Sequence, residues 1–225
     1  MTRLASVAAL ALATVAAAQD AGIERPVVSV LYFDVDDKLG DLTMFRKGLA
    51  EMLITDLAPS GNITVVERAR LEDVMGELKL QQTKNFDQKT IVQIGNMIGA
   101  HYQIAGTILK PSKDSLLLEA KVISLSTTKV VVTARARITN DDVLDGEQVL
   151  VAKLIAGLSD AAKLKLDAPP KKAVKLKLDT AVKYGQALAA KDQKEPEKAK
   201  ALLKEVVTEQ PDFILARMDL AALAK

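Results

Sequence analysis

The stretch from His101 to Ile138 constrains the fold more than any other part of the chain. Three runs, His101 to Leu109 (HYQIAGTIL), Leu116 to Leu125 (LLLEAKVISL) and Lys129 to Ile138 (KVVVTARARI), carry period-two strand patterning. Only the polar turns Pro111-Ser112-Lys113-Asp114 and Ser126-Thr127-Thr128 separate them. Parallel neighbours need a long crossover, whereas joins this short suit hairpins, so the block predicts a three-strand antiparallel meander. With 49% hydrophobic residues the chain can cover one face of such a sheet with a real core.

The residues before the meander read as helices and strands in alternation. Val27 to Val35 (VVSVLYFDV), bounded by Pro26 and the Asp36 to Gly40 turn, predicts one buried strand. From Asp41, a candidate cap, Leu42, Phe45, Leu49, Met52, Leu53 and Leu57 recur at helical spacing until Pro59-Ser60-Gly61 stops the helix. Ile63 to Val66 predicts a second strand, and Glu67-Arg68 leads into a helix marked by Leu71, Val74, Met75 and Leu78. A third helix follows Asn85, another candidate cap, with Ile91, Ile94 and Ile98 on its stripe and Gly95 with Gly99 read as a close-packing spot. After the meander, Asp141 or Asp142 opens a longer helix through Val143, Val149, Leu150, Leu154 and Leu158. The expected fold class is α/β (α+β): a mixed sheet with an antiparallel meander, covered by helices and followed by a small all-α helical hairpin.

The organisation expected around this core has four parts. Residues 1–18 pair Arg3 with an apolar run and the small residues Ala16-Ala17-Ala18, the pattern of a secretory signal peptide cleaved between Ala18 and Gln19. The α/β domain then takes residues 19–165, a Lys/Pro linker residues 166–178, and a helical segment residues 179–225. The net charge of +2 conceals an asymmetry. Gln19 to Ala162 holds 16 basic against 20 acidic residues, whereas Lys163 to Lys183 holds 7 Lys against 2 Asp. The motif KLKLD occurs twice, at Lys163 to Asp167 and Lys175 to Asp179, on either side of Pro169-Pro170. Paired prolines stop a helix and stiffen a linker, so this stretch is read as a slipped duplication within a connector.

In the last segment Ala181, Tyr184, Gly185, Leu188 and Ala189 form one helical stripe, and Ala199, Leu202, Leu203, Val206 and Val207 form another before Pro211. The arrangement resembles a tetratricopeptide unit, with Gly185 at a close helix crossing, Ala199 early in the second helix and Pro211 beyond its end. Phe213 to Leu223 could begin a truncated next unit. The Lys191 to Glu197 loop is longer than that family's pattern, and Leu203 stands where an aromatic is usual. A lone unit cannot bury its face, so it has to pack on the domain, on a copy of itself or on a partner. The resemblance makes Tyr184, Gly185, Ala199, Leu203 and Pro211 the candidate partner-docking residues.

Chemistry is hard to place on this chain. There is no cysteine, which excludes disulfides, thiolate metal sites, a thiol nucleophile and an acylated amino-terminal cysteine. A single histidine, His101, lacks a nominable nucleophile and orienting carboxylate, so no catalytic residue is assigned and the chain is read as no enzyme. Asp34, Asp36, Asp37 and Asp41 evoke a calcium loop, but Gly40 falls at the seventh place and Phe45 at the twelfth, where the loop needs glycine sixth and glutamate twelfth. No phosphate-cradling glycine motif occurs, and no cofactor or metal is expected. Aromatic residues at 3%, with no Trp, argue against stacking nucleic-acid bases. Glu67 and Arg68 are the candidate structured charges, read as an ion pair or helix-start charges.

With these elements in order, three segments resemble the periplasmic domain of the CsgG-like family of curli secretion channels, which shares features with the TolB amino-terminal type. They are Leu49 to Leu80, a helix, a strand ending in an ER pair and a helix; Ala100 to Leu109 (AHYQIAGTIL); and Glu119 to Ile138, a hairpin with Thr128 where the family usually has Gly. The chain departs from channel members in having no lipidated cysteine, and its connections Gln81 to Gln88 and Lys110 to Ser115 are too short for spanning hairpins, whose strands need roughly 9–11 residues each. The resemblance implies the soluble fold, a periplasmic address with association to the outer membrane through other proteins, and self-assembly or assembly with envelope proteins. The expected function is therefore an envelope assembly or adaptor protein that binds no nucleic acid and does not itself span the membrane. The alternative is a ligand- or glycan-binding module using the acidic end of the sheet near Asp34 to Asp41.

Overall fold

The computed structural model describes residues 25–35, 39–40, 42–80, 86–169 and 171–224. The leader with its Ala18/Gln19 cleavage point, the acidic residues Asp36 and Asp37, and the candidate caps Asp41 and Asn85 lie outside the described residues.

The chain builds a six-stranded mixed sheet in the order β3-β1-β4-β5-β6, with β2 paired to β4. The meander is present as β4 (Tyr102–Ser112), β5 (Ser115–Ser124) and β6 (Lys129–Thr139), antiparallel throughout. The strand expected over Val27 to Val35 divides into β1 (Val27–Val30) and β2 (Asp34–Val35), both parallel to β4. The register explains the break: Val30 pairs with Ile104, yet Asp34 pairs with Thr107, so one extra residue must bulge out of the ladder between them. Leu31, Tyr32 and Phe33 in this bulge are all buried. β3 (Thr64–Val65) is a short edge strand parallel to β1, and β6 forms the other edge.

Alternation sorts the meander into two faces. Leu116, Leu118, Ala120 and Val122 of β5 stand opposite Ile138, Ala136, Ala134 and Val132 of β6, and this face packs beneath α1 (Leu42–Leu57) and α4 (Val143–Ala162). On the other face α3 (Gln88–Ile98) covers Gln103, Ile123 and Leu125, where a Cβ at Gly95 would meet the Gln103 side chain at 2.5 Å and strike Leu125. Gly95 is thus a close-packing residue, but Gly99 is not: it ends α3 in the left-handed conformation (φ 77°) with open space where a Cβ would be. Asp87 caps α3 by accepting from the Thr90 N–H at 2.7 Å, and Asp142 caps α4. Val149, expected in the core stripe of α4, is 43% exposed, and Val151 and Ile155 are buried instead. α2 (Arg68–Glu77) follows β3 and turns Leu71, Val74 and Met75 inward.

Of the Lys/Pro linker expected over residues 166–178, residues 166–169 and 171–177 are described and form an extended strap laid along α4 in the opposite direction. The Leu166 N–H meets Ser159 Oγ at 3.2 Å, the Lys172 N–H meets Gln148 Oε1 at 3.2 Å, and the Val143 N–H donates to the Leu176 carbonyl at 2.7 Å. The alternation of Lys and Leu supplies the reason, since an extended chain turns alternate residues to opposite sides. Leu176 and Leu178 are buried while Lys171, Lys175 and Lys177 remain in water.

The last three helices are α5 (Leu178–Asp192), α6 (Pro196–Glu209) and α7 (Ile214–Ala222). α5 and α6 are antiparallel, with Thr180 and Lys183 near the start of α5 bonded to Glu209 at the end of α6. The hairpin packs on the domain, through α5 against α1. The two helices cross at glycines: a Cβ on Gly48 would lie 3.2 Å from the Ala181 carbonyl oxygen, and one on Gly185 would strike the carbonyl of Met44.

Candidate functional site

Docking the hairpin on α1 creates a groove of about 940 Å³ between α1, α2 and the ends of α5 and α7. Ile54, Ala58 and Val65 give it apolar wall, but its character is acidic. Glu51, Glu67, Glu72, Asp73, Asp192 and Asp219 line it against the cations Arg68 and Lys191.

At the floor of this groove Arg68 is the hub. Its Nη1 donates to both carboxylate oxygens of Asp192, at 2.9 and 2.7 Å, and to the Tyr32 hydroxyl at 3.2 Å, while its Nε donates to Glu51 at 3.0 Å. Lys47 closes the ring, reaching Glu72 at 2.5 Å and Asp192 at 2.6 Å, with its ammonium 4.9 Å from the centre of the Tyr32 ring. The Tyr32 hydroxyl in turn donates to Glu72. One residue from the bulge, two from α1, two from α2 and the last of α5 therefore meet in a single charge network. Only 6% of Arg68 is exposed, so these bonds are shielded from competing water.

The ionisation of the network follows from its geometry. Burial raises the Asp192 carboxyl, but hydrogen bonds and charge from Arg68 and Lys47 outweigh it and hold the group below the ordinary aspartate value. Burial dominates at Glu51 and pushes it up, against the pull of Arg68. Tyr32 is raised well above a free phenol, first by burial and then by the Glu72 and Asp192 charges, so it stays protonated and serves as a donor.

Of the residues singled out from sequence, Arg68 is central to this site and Glu67 lines its rim, exposed, without forming a pair with Arg68. The docking candidates lie in and just after the hairpin of α5 and α6. Tyr184, Gly185, Ala199 and Leu203 are buried within the hairpin and its contact with α1, so their surface is already occupied by the chain itself, and only Pro211 is exposed. The Tyr184 hydroxyl donates to Asp219 at 2.8 Å, and its ring meets Phe213 edge-on at 5.0 Å. His101 is structural: its Nδ1 accepts from the Val27 N–H at 2.9 Å and its backbone N–H donates to the Val27 carbonyl at 2.8 Å, fixing the start of β1 beside β4. Asp34 borders a second cavity of about 270 Å³ shared with Tyr32, Phe86, Ile91 and Thr107. Burial raises its carboxyl, opposed by the nearby Arg46 charge and the Phe86 N–H. Among the described residues no cluster of His, Cys, Asp or Glu is placed to hold a metal ion.

Sequence reasoning missed Lys47, Glu51, Glu72 and Asp192. Each is a charged residue on or beside an amphipathic helix, where solvated polar positions are the rule, and nothing in the spacing marks these as turned inward. The one available signal was the ER pair at the start of α2.

Residues 15–111 match the family model described as the curli production assembly/transport component CsgG. Comparison with curated proteins gives no match. Among solved structures, the chain is similar to the LpoB C-terminal domain from Salmonella enterica, at 16% identity and a TM-score of 0.40, over 53% of this chain and 86% of that one. It is also similar to the PelC dodecamer from Paraburkholderia phytofirmans, at 15% identity and a TM-score of 0.37, over 60% and 88%. TolB from Acinetobacter baumannii aligns at 14% identity and a TM-score of 0.42, over 60% and 29%.

Proposed function

We propose that this chain, whose residues 15–111 carry the CsgG family pattern, is a non-enzymatic assembly or adaptor protein of the bacterial envelope that seats a basic segment of a partner in the groove between α1, α2 and the hairpin. The family's description as an assembly and transport component supports the assembly role. One feature makes a channel a poor reading: the connection between β4 and β5 is a tight turn at Lys113-Asp114, too short for a spanning hairpin. The apolar run of residues 1–18 supports export to the periplasm.

The observation that carries the docking role is the groove itself. It is open, it lies where the hairpin meets the family-matched domain, and its six carboxylates outnumber Arg68, Lys47 and Lys191, which among the described residues pair with Glu51, Glu72, Asp192 and Asp219 and leave Glu67 and Asp73 unpaired. A partner's Lys or Arg side chains would complete that balance, and opposite charge steers such an encounter. A photo-crosslinking residue at Thr55 or Ala69 should capture a discrete envelope protein in cells, and Asp73→Lys with Glu67→Lys should abolish the adduct. A protein that stays monomeric at high concentration and yields no adduct from either position would count decisively against the docking role.

A further inference from the structure

On the opposite side of α1 from the groove sits a second buried charge cluster that the docking role does not use. Glu147 of α4 is completely buried, and neither of its carboxyl oxygens meets a donor. Asp56 of α1 is its carboxyl neighbour and is 5% exposed; its Oδ1 holds the Lys172 ammonium of the strap at 2.6 Å, while its Oδ2 lacks a donor among the described residues. These unmatched oxygens on two neighbouring carboxyls have one economical solution. A single proton on Glu147 would turn it into an O–H donor to Asp56 and satisfy both residues at once. Without it, two buried carboxylates would be balanced by one partly exposed ammonium, leaving a net negative charge out of reach of water.

We propose that Glu147 carries a proton that it donates to Asp56 and, with Lys172, forms a proton-held joint between α1, α4 and the strap that loosens as pH rises. Among the described residues, Asp56 from α1 and Lys172 from the strap are the charged groups that act on Glu147. On the far side of α4, β6 presents the Arg137 carbonyl and Ile138 against Gly146, and Gln148 beside the cluster is neutral. Burial first, and then the Asp56 charge, raises the Glu147 carboxyl well above its ordinary value, with Lys172 pulling the other way. The sign follows from linkage. A folded-state value above the unfolded one gives stability that is complete below the unfolded value and is lost as pH rises through the folded one. Loss of the proton forces hydration of the pair, which requires α1, α4 and the strap to part.

The test is the melting temperature of the full chain from pH 5.5 to 9, wild type against Glu147→Gln, with hydrogen exchange at the Asp167 and Lys172 amides corrected for intrinsic rate. Glutamine keeps a donor toward Asp56 and cannot ionise, so its advantage in Tm over wild type should grow with pH. Wild-type strap amides should lose protection over the same range while those of β5 do not. Lys172→Met should move the wild-type midpoint to higher pH, because the cation that favours ionisation is gone. Parallel Tm curves for wild type and Glu147→Gln, or unchanged strap protection, would overturn the joint. Should Glu147→Gln fail to fold, Asp56→Asn should move the wild-type midpoint to lower pH, because the neighbouring charge that opposes ionisation is gone, and an unmoved midpoint would overturn the joint equally.

Discussion

Arg68, the first residue of α2, donates to both carboxylate oxygens of Asp192, the last residue of α5, across 124 positions of sequence. This contact locks the carboxyl-terminal hairpin to the domain from within, beneath the floor of the groove. Removing one member of a buried pair leaves the other charge desolvated, which typically costs about 3–5 kcal/mol. Asp192→Ala should lower unfolding stability by that order in chemical denaturation. The lock should also fail in acid. The Asp192 carboxyl is held below its ordinary value, so its contribution is present above about pH 4 and lost as pH falls further through the depressed value. The Asp192→Ala protein should lack this component of acid sensitivity.

Gly185 makes the helix crossing possible. A methyl group there would strike the Met44 carbonyl, and backbone cannot swing aside as a flexible side chain can. Gly185→Ala should destabilise the protein by about 1–3 kcal/mol, despite the better intrinsic helix propensity of alanine. The same change in an exposed helix would stabilise, so the sign of the Tm shift decides between a packed crossing and a free helix.

Thr128 closes the β5–β6 turn at φ 55°, where a β-branched residue is strained. Thr128→Gly should stabilise by about 0.5–1 kcal/mol, the strain relief exceeding the extra chain entropy of glycine. Thermal unfolding checks it, and no change in the spectroscopic signature of the sheet is expected.

Tyr184 is buried with its hydroxyl on Asp219, which also receives Lys191 at 2.7 Å. Tyr184→Phe should cost about 1–2 kcal/mol, because it deletes a hydrogen bond to a charged acceptor while keeping the ring contact with Phe213. Hydrogen exchange should show the loss concentrated in α7, which carries Asp219.

Much of the fold was legible because its signals are local. The meander runs, the Pro59 stop, the Asp142 cap and the Leu42 to Leu57 stripe each depend on residues within a few positions of one another. The split of the first strand was not legible, since a bulge is set by the register against β4, some seventy residues away. Gly99 was misread for a related reason: a glycine at a helix end and one at a helix contact look alike until the neighbouring element is known.

The sequence by itself determined the type and order of most strands and helices, the main apolar stripe of each, and, through the ordered segments from Leu49 to Ile138, the resemblance to the CsgG family. Hydrophobic periodicity and turn chemistry act at short range, so one dimension suffices to read them. Tertiary structure alone decided that Gly185 meets α1, that the Lys/Leu strap closes over Asp56 and Glu147, and that Arg68 gathers Tyr32, Glu51 and Asp192 beneath an acidic groove. Partners drawn from segments far apart in the chain leave no periodic trace, because a charge turned inward and a charge turned to water are spelled with the same residue.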